Sequence, residues 1–163
     1  MFSNRFLNGI AYIYQWIISF FSHFQSLLLL FIRIIWGHQF VLMGMKKLSN
    51  PEQVSLFFES LGIHMPYFHV YLVGWVEVIG GICLFIGFAS RLIAIPLGIV
   101  LVVAYSTAHS YIFTHWTIVL NPHIIVQEPP FAFLMTCLLI LIFGPGKVSV
   151  DRWIEKALYK RRY

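Results

Sequence analysis

Four long apolar runs constrain this chain more than any other feature. They read from about Gln25 to Met45, Phe68 to Phe88, Leu92 to Phe113, and from Pro129-Pro130 to Gly144-Pro145-Gly146. Each approaches the roughly 20 residues a helix needs to cross a hydrocarbon core of about 30 Å. Charge agrees with that reading. Only 10% of residues are charged, where a soluble domain carries about 25%. A soluble enzyme and a disordered tail are therefore excluded. The net charge of +5 invites nucleic acid, but six of the basic residues (Lys147, Arg152, Lys156, Lys160, Arg161, Arg162) crowd the C-terminus. That is a membrane-flanking tail rather than a basic face.

The expected fold is an all-α integral membrane protein, a four-transmembrane-helix bundle. Residues 1–24 read as an N-terminal amphipathic helix lying in the interface. Asn4, Asn8, Tyr12, Gln15, Ser19 and Ser22 recur at steps of three and four, opposite Phe6, Leu7, Ile10, Ile13, Trp16, Ile17 and Phe20. Residues 25–146 form the bundle, and 147–163 the basic tail. The tight connection at Arg91 makes the second and third spans a helical hairpin. Arg5, Arg91, Lys147, Arg152, Lys156, Lys160, Arg161 and Arg162 share one side, leaving Lys46 and Lys47 on the other. Both termini are thus expected in the cytoplasm of a bacterial inner membrane. In the first periplasmic loop, Asn50, Pro51 and Gly62 have the positions of a helix cap, first residue and stop. Its apolar face would be Val54, Phe57, Phe58 and Leu61, laid along the outer surface. In the second, Thr117–Leu120 and Ile124–Val126 read as extended runs around an Asn121-Pro122 turn.

An ionisable group deep in a span costs at least about 2.5–3.5 kcal/mol on insertion scales, so it needs a partner or a purpose. Arg33 and Glu77 lie about 20 Å and 14 Å below the outer ends of their helices at 1.5 Å per residue. Gly37 and Gly44 follow Arg33, and Gly74 and Gly81 flank Glu77. Small residues let helices approach closely, so a structural Arg33–Glu77 ion pair between the first two spans is expected. Tyr105 and His109 sit one turn apart on the third span. With His38, Glu77 and Glu128 they can be gathered around one cavity in the outer half. Imidazole, phenol and carboxylate are the groups a proton-coupled reaction uses, which makes His109, Tyr105 and Glu128 the candidate catalytic residues and His38 and Glu77 candidate ligand contacts. Interfacial His and Tyr also serve as plain amphipathic anchors. No metal is expected, because neither His-x-x-His nor His-Glu-x-x-His spacing occurs. Cys83 and Cys137 belong to no Cys-x-x-Cys pair and read as small packing residues. No glycine-rich phosphate loop supports a nucleotide.

One set of short motifs runs through most of the chain. It comprises Arg33-x-x-x-Gly37, Gly44-x-Lys46-Lys47-Leu48, Leu61-Gly62, Glu77-x-x-Gly80-Gly81, Gly87-x-x-x-Arg91, Glu128, and Gly144-Pro145-Gly146-x-x-Ser149-x-Asp151. In order and spacing these resemble the DoxX/DoxD family of small four-helix bacterial membrane proteins, over about Leu29 to Trp153. The resemblance implies a membrane subunit of a quinone-linked redox system, tied to thiosulfate oxidation or to thiol and oxidative-stress chemistry, with quinone as its carrier. It supplies no catalytic residue. A non-catalytic adaptor or small-lipophile binder is the alternative, its polar residues only ordering the helices. The partners implied are anionic lipids at the basic tail, a redox enzyme subunit, or a second copy of the chain, and no nucleic acid.

Overall fold

The computed structural model describes residues 2–108 and 123–160, apart from the side chains of 2–11, 13, 23, 159 and 160. Residues 109–122 and 161–163 lie outside the description, and with them His109, the Thr117–Leu120 run and the Asn121-Pro122 turn. Among the described residues every regular element is a helix.

Helix α1 (Phe2–Ser49) is 48 residues long. It passes through Gln25 without a break, so the amphipathic stretch and the apolar stretch after it form one helix. The next residue ends it: Asn50 precedes a proline and is pushed out of the helical region, at φ −130°. Pro51 then opens α2 (Pro51–Ser60), and Gly62 follows its end at φ +75°. The Asn50 side chain does not cap α2. Its amide donates back to the Lys46 carbonyl at 3.4 Å. On α2, Ser55 is buried, Val54, Phe58 and Leu61 are half-buried, and Phe57 is exposed, so three of the four expected face residues lie on the packed side.

Helices α3 (Pro66–Ile86) and α4 (Ser90–Ala108) follow, then α5 (His123–Gln127), α6 (Pro129–Phe143) and α7 (Val150–Lys160). Ile124–Val126, expected to be extended, is instead a short helix. β-branched residues carry only a weak strand preference, which local context overrides. Segments Tyr14–Ser49, Pro66–Ile86 and Ser90–Ala108 are long and apolar enough to cross a membrane. Helix α6 is as apolar but has 15 residues, about 22 Å. Trp75, Ile79, Ile99, Val102 and Ile142 are among many large apolar side chains left outside, a surface suited to lipid rather than water.

Helix α1 packs mainly on α3 and α4 on α6, while α3 meets α4 and α6 meets α1, which closes a ring. The α1–α3 contact is backbone to backbone. A Cβ on Gly37 would lie 2.9 Å from the Gly81 carbonyl oxygen, and one on Gly44 2.6 Å from that of Gly74. The glycine faces named from the sequence are thus the packing faces. Inside the ring Phe40, Leu84, Leu97, Phe133, Cys137 and Ile140 form the core. The Phe133 ring meets Trp36 and Phe40 edge-on at 4.7 and 4.8 Å.

Candidate functional site

The pairing of Gly37 with Gly81 and Gly44 with Gly74 fixes an antiparallel register. In it Arg33 comes opposite Phe85, and Glu77 opposite Val41, eight residues or about 12 Å along the axis from Arg33. Helical side chains also lean toward their own N-terminus. In an antiparallel pair these two therefore lean apart, and the expected Arg33–Glu77 ion pair does not form. Glu77 instead binds Lys47 at 2.6 Å. The lysine comes from the last turn of α1 and leans toward Glu77.

Arg33 is buried and faces carbonyls. Its Nε donates to Leu84 O at 3.0 Å and Nη2 to Phe85 O at 3.5 Å. Nη1 donates to Pro145 O, and to Val148 O at 3.1 Å. Leu84 and Phe85 lie in the last turn of α3, where carbonyls lack helical partners and the helix dipole favours a cation. The turn that follows makes room for the guanidinium. Gly87 has φ +76°, and a Cβ there would lie 2.7 Å from both the Arg33 guanidinium and Ser149. Hydrogen bonds from Gly87 N–H to Leu84 O and from Phe88 N–H to Cys83 O close α3 in a Schellman arrangement.

Asp151 completes this end of the bundle. Its carboxylate accepts from the N–H groups of Ala89 at 2.6 Å and Ser90 at 2.9 Å. It therefore caps α4 from a helix 60 residues away in sequence. Its own N–H donates to Gly87 O at 3.0 Å, and Ser149 Oγ accepts from the Arg152 N–H at 3.2 Å, which caps α7. Arg33, Gly87, Gly144-Pro145-Gly146, Ser149 and Asp151 are thus one clasp. It joins α1, the α3–α4 turn and the start of α7. The sequence had flagged each of these residues but not that they meet.

The predicted site residues at the opposite end are only partly brought together. Tyr105 is buried and donates to the Ile125 carbonyl at 3.1 Å, tying α4 to α5. Glu128 is the residue before α6 and lies close enough to Tyr105 to interact electrostatically. His38 does not join them. It lies one residue past Gly37, about 100° around the helix from the packing face, and is exposed. Glu77 is engaged by Lys47, and His109 lies outside the described residues. Among the described residues no group of three His, Cys, Asp or Glu is placed to hold a metal ion. A cleft of about 670 Å³ lies at the clasp end instead, and Arg91, Lys147 and Arg152 are among its lining residues.

Comparison with known proteins bears on what this arrangement serves. The chain is 33% identical over 127 residues to the Bacillus subtilis (strain 168) protein named "Putative oxidoreductase CatD". That match covers 78% of this chain and 87% of the relative. No solved structure matches it significantly. The DoxX family model matches residues 28–110, from α1 through α4, including Arg33, the α1–α3 glycines and Gly87. The chain is a membrane protein that belongs to the DoxX family.

Proposed function

We propose that the protein is the membrane-embedded subunit of a quinone-linked oxidoreductase system, with four membrane-crossing helices and the clasp end facing the cytoplasm. The likeness to CatD, whose name reads "Putative oxidoreductase", over most of both chains carries this reading. The positions of Tyr105 and Glu128 support a site at the opposite end. A bound quinone accepts electrons and protons together, and there the Tyr105 phenol and the Glu128 carboxylate interact electrostatically, with His109 four residues after Tyr105 in sequence. Tyr105 keeps an acceptor lone pair while donating to Ile125, and Glu128 and His109 are the groups able to take or release a proton. In this reading a partner subunit supplies the electrons that the quinone accepts.

A second reading is a non-catalytic adaptor. It is supported by how fully the clasp engages its polar groups: Arg33 on four carbonyls, Asp151 on two N–H groups, and Glu77, further along the bundle, on Lys47. The test is mild-detergent purification, mass spectrometry of co-purified quinone, and titration with ubiquinone-1. Quinone should be retained, and His109→Ala should abolish binding at unchanged folded yield. Tyr105→Phe should weaken binding by up to about tenfold, one lost hydrogen bond, and Glu128→Gln less than His109→Ala. Unchanged binding in folded His109→Ala and Tyr105→Phe proteins would put the adaptor first.

A further inference from the structure

We propose that the cleft at the clasp end seats the phosphate headgroup of an anionic phospholipid, held by Arg91 and Lys147, with α7 lying beside it on the membrane surface. Two independent features lead there. The first is uncompensated charge. Five charged side chains line the cleft, and three of them are already engaged. Asp151 caps α4, and Arg152 and Glu155 pair with each other at 2.8 Å. Among the described residues Arg91 and Lys147 have no carboxylate partner. Both are exposed, and Arg91 reaches only the Ile142 carbonyl, at 3.5 Å. Two cations beside one open cleft suit a phosphodiester, and its other walls, Leu29, Leu92 and Phe143, suit the first methylenes of an acyl chain.

The second feature is α7. Val150, Trp153, Ile154, Ala157 and Leu158 recur at helical spacing on one face, with Arg152, Glu155 and Lys156 on the other. Trp153 and Leu158 are exposed, at 74% and 61%. A short helix with Trp and Leu on one face and basic residues on the other, joined directly to a membrane bundle, lies in the headgroup region. The Lys147 N–H donates to Ser26 Oγ of α1 at 2.7 Å, which anchors the loop that carries the lysine against the bundle. A small free anion would need only the two cations. A lipid also uses the apolar walls, Leu29, Leu92 and Phe143.

The site is tested by native mass spectrometry of the full chain, offered phosphatidylglycerol and phosphatidylcholine of equal chain length. Each cation near the surface contributes about fivefold, so the protein should prefer phosphatidylglycerol by roughly 25-fold. Lys147→Gln should lower that preference about fivefold, and Arg91→Gln with Lys147→Gln should abolish it. Lys46→Gln, at the other end of the bundle, should change nothing. The proposal is overturned if the double variant keeps the preference, or if excess inorganic phosphate displaces the lipid, which would make this a small-anion site. Neither result depends on whether the protein binds quinone.

Discussion

Replacing Arg33 by leucine removes a charged donor from four carbonyl groups at once. Leu84 and Val148 receive bonds of 3.0 and 3.1 Å, Pro145 a third, and Phe85 a longer contact of 3.5 Å. Hydrogen bonds to charged groups contribute about 1.5–3 kcal/mol each. The three firm ones sum to more than is realised, because the loops can relax and water can reach the surface side. A loss of about 4–6 kcal/mol is expected, comparable to the whole stability of a marginal protein. Thermal unfolding in dodecyl maltoside, followed by tryptophan fluorescence, measures it. Arg33→Lys should recover only part, since an ammonium cannot present the planar fork that reaches α3 and the Pro145–Val148 loop together. The decisive arm is a pair of double-mutant cycles. Arg33→Leu with Asp151→Asn should couple by about 0.5–3 kcal/mol, because both build one clasp. Arg33→Leu with Glu77→Leu should add to within about 0.5 kcal/mol. An Arg33→Leu protein that melts like wild type, or strong coupling to Glu77, would refute this account.

Three further outcomes follow from the packing and the topology. Gly81→Ala places a Cβ 2.7 Å from the Gly37 carbonyl oxygen and should cost about 1–3 kcal/mol, whereas Gly98→Ala meets nothing within 4 Å and should be neutral or stabilising by up to about 1 kcal/mol; detergent melting curves of the two variants separate these. Asp151→Ala leaves the first N–H groups of α4 without their acceptor and should cost about 1–2 kcal/mol, visible as faster amide exchange at Ala89 and Ser90. Reporter fusions at Glu52 and His123 should read as periplasmic and those after Tyr163 as cytoplasmic, and a periplasmic C-terminus would overturn the proposed orientation.

What could be read from the sequence divides along the reach of the signal. Proline and glycine act within a residue or two, so the Asn50-Pro51 start, the Gly62 stop, the Arg91 hairpin and the Pro129 start all lie where the sequence puts them. Glycine spacing marked the faces on which α1 and α3 meet. Direction is the part that spacing does not carry: side chains lean toward each helix N-terminus, which takes Arg33 and Glu77 apart. His38 was legible as an outsider, because its place next to Gly37 already rotates it off the packing face. So was α7: its apolar residues at 150, 153, 154, 157 and 158 have helical spacing, which the tail's dense positive charge obscures. The clasp was not legible. Nothing local in Gly144-Pro145-Gly146 or Asp151 says that its carbonyls and carboxylate meet a guanidinium and a helix start more than 50 residues upstream.

The clasp also sets a timetable for biogenesis. Arg33 leaves the ribosome 112 residues before Pro145 and 115 before Val148. At about 5–20 residues per second, its guanidinium waits roughly 6–23 s for the last of its acceptors. Until then its acceptors are the carbonyls at the end of α3, themselves made 51 and 52 residues after it, and a buried cation short of partners is costly. Insertion of the N-terminal half is therefore provisional until the 144–151 segment is made. A chain stalled or cut before that segment would leave the guanidinium without its Pro145 and Val148 acceptors.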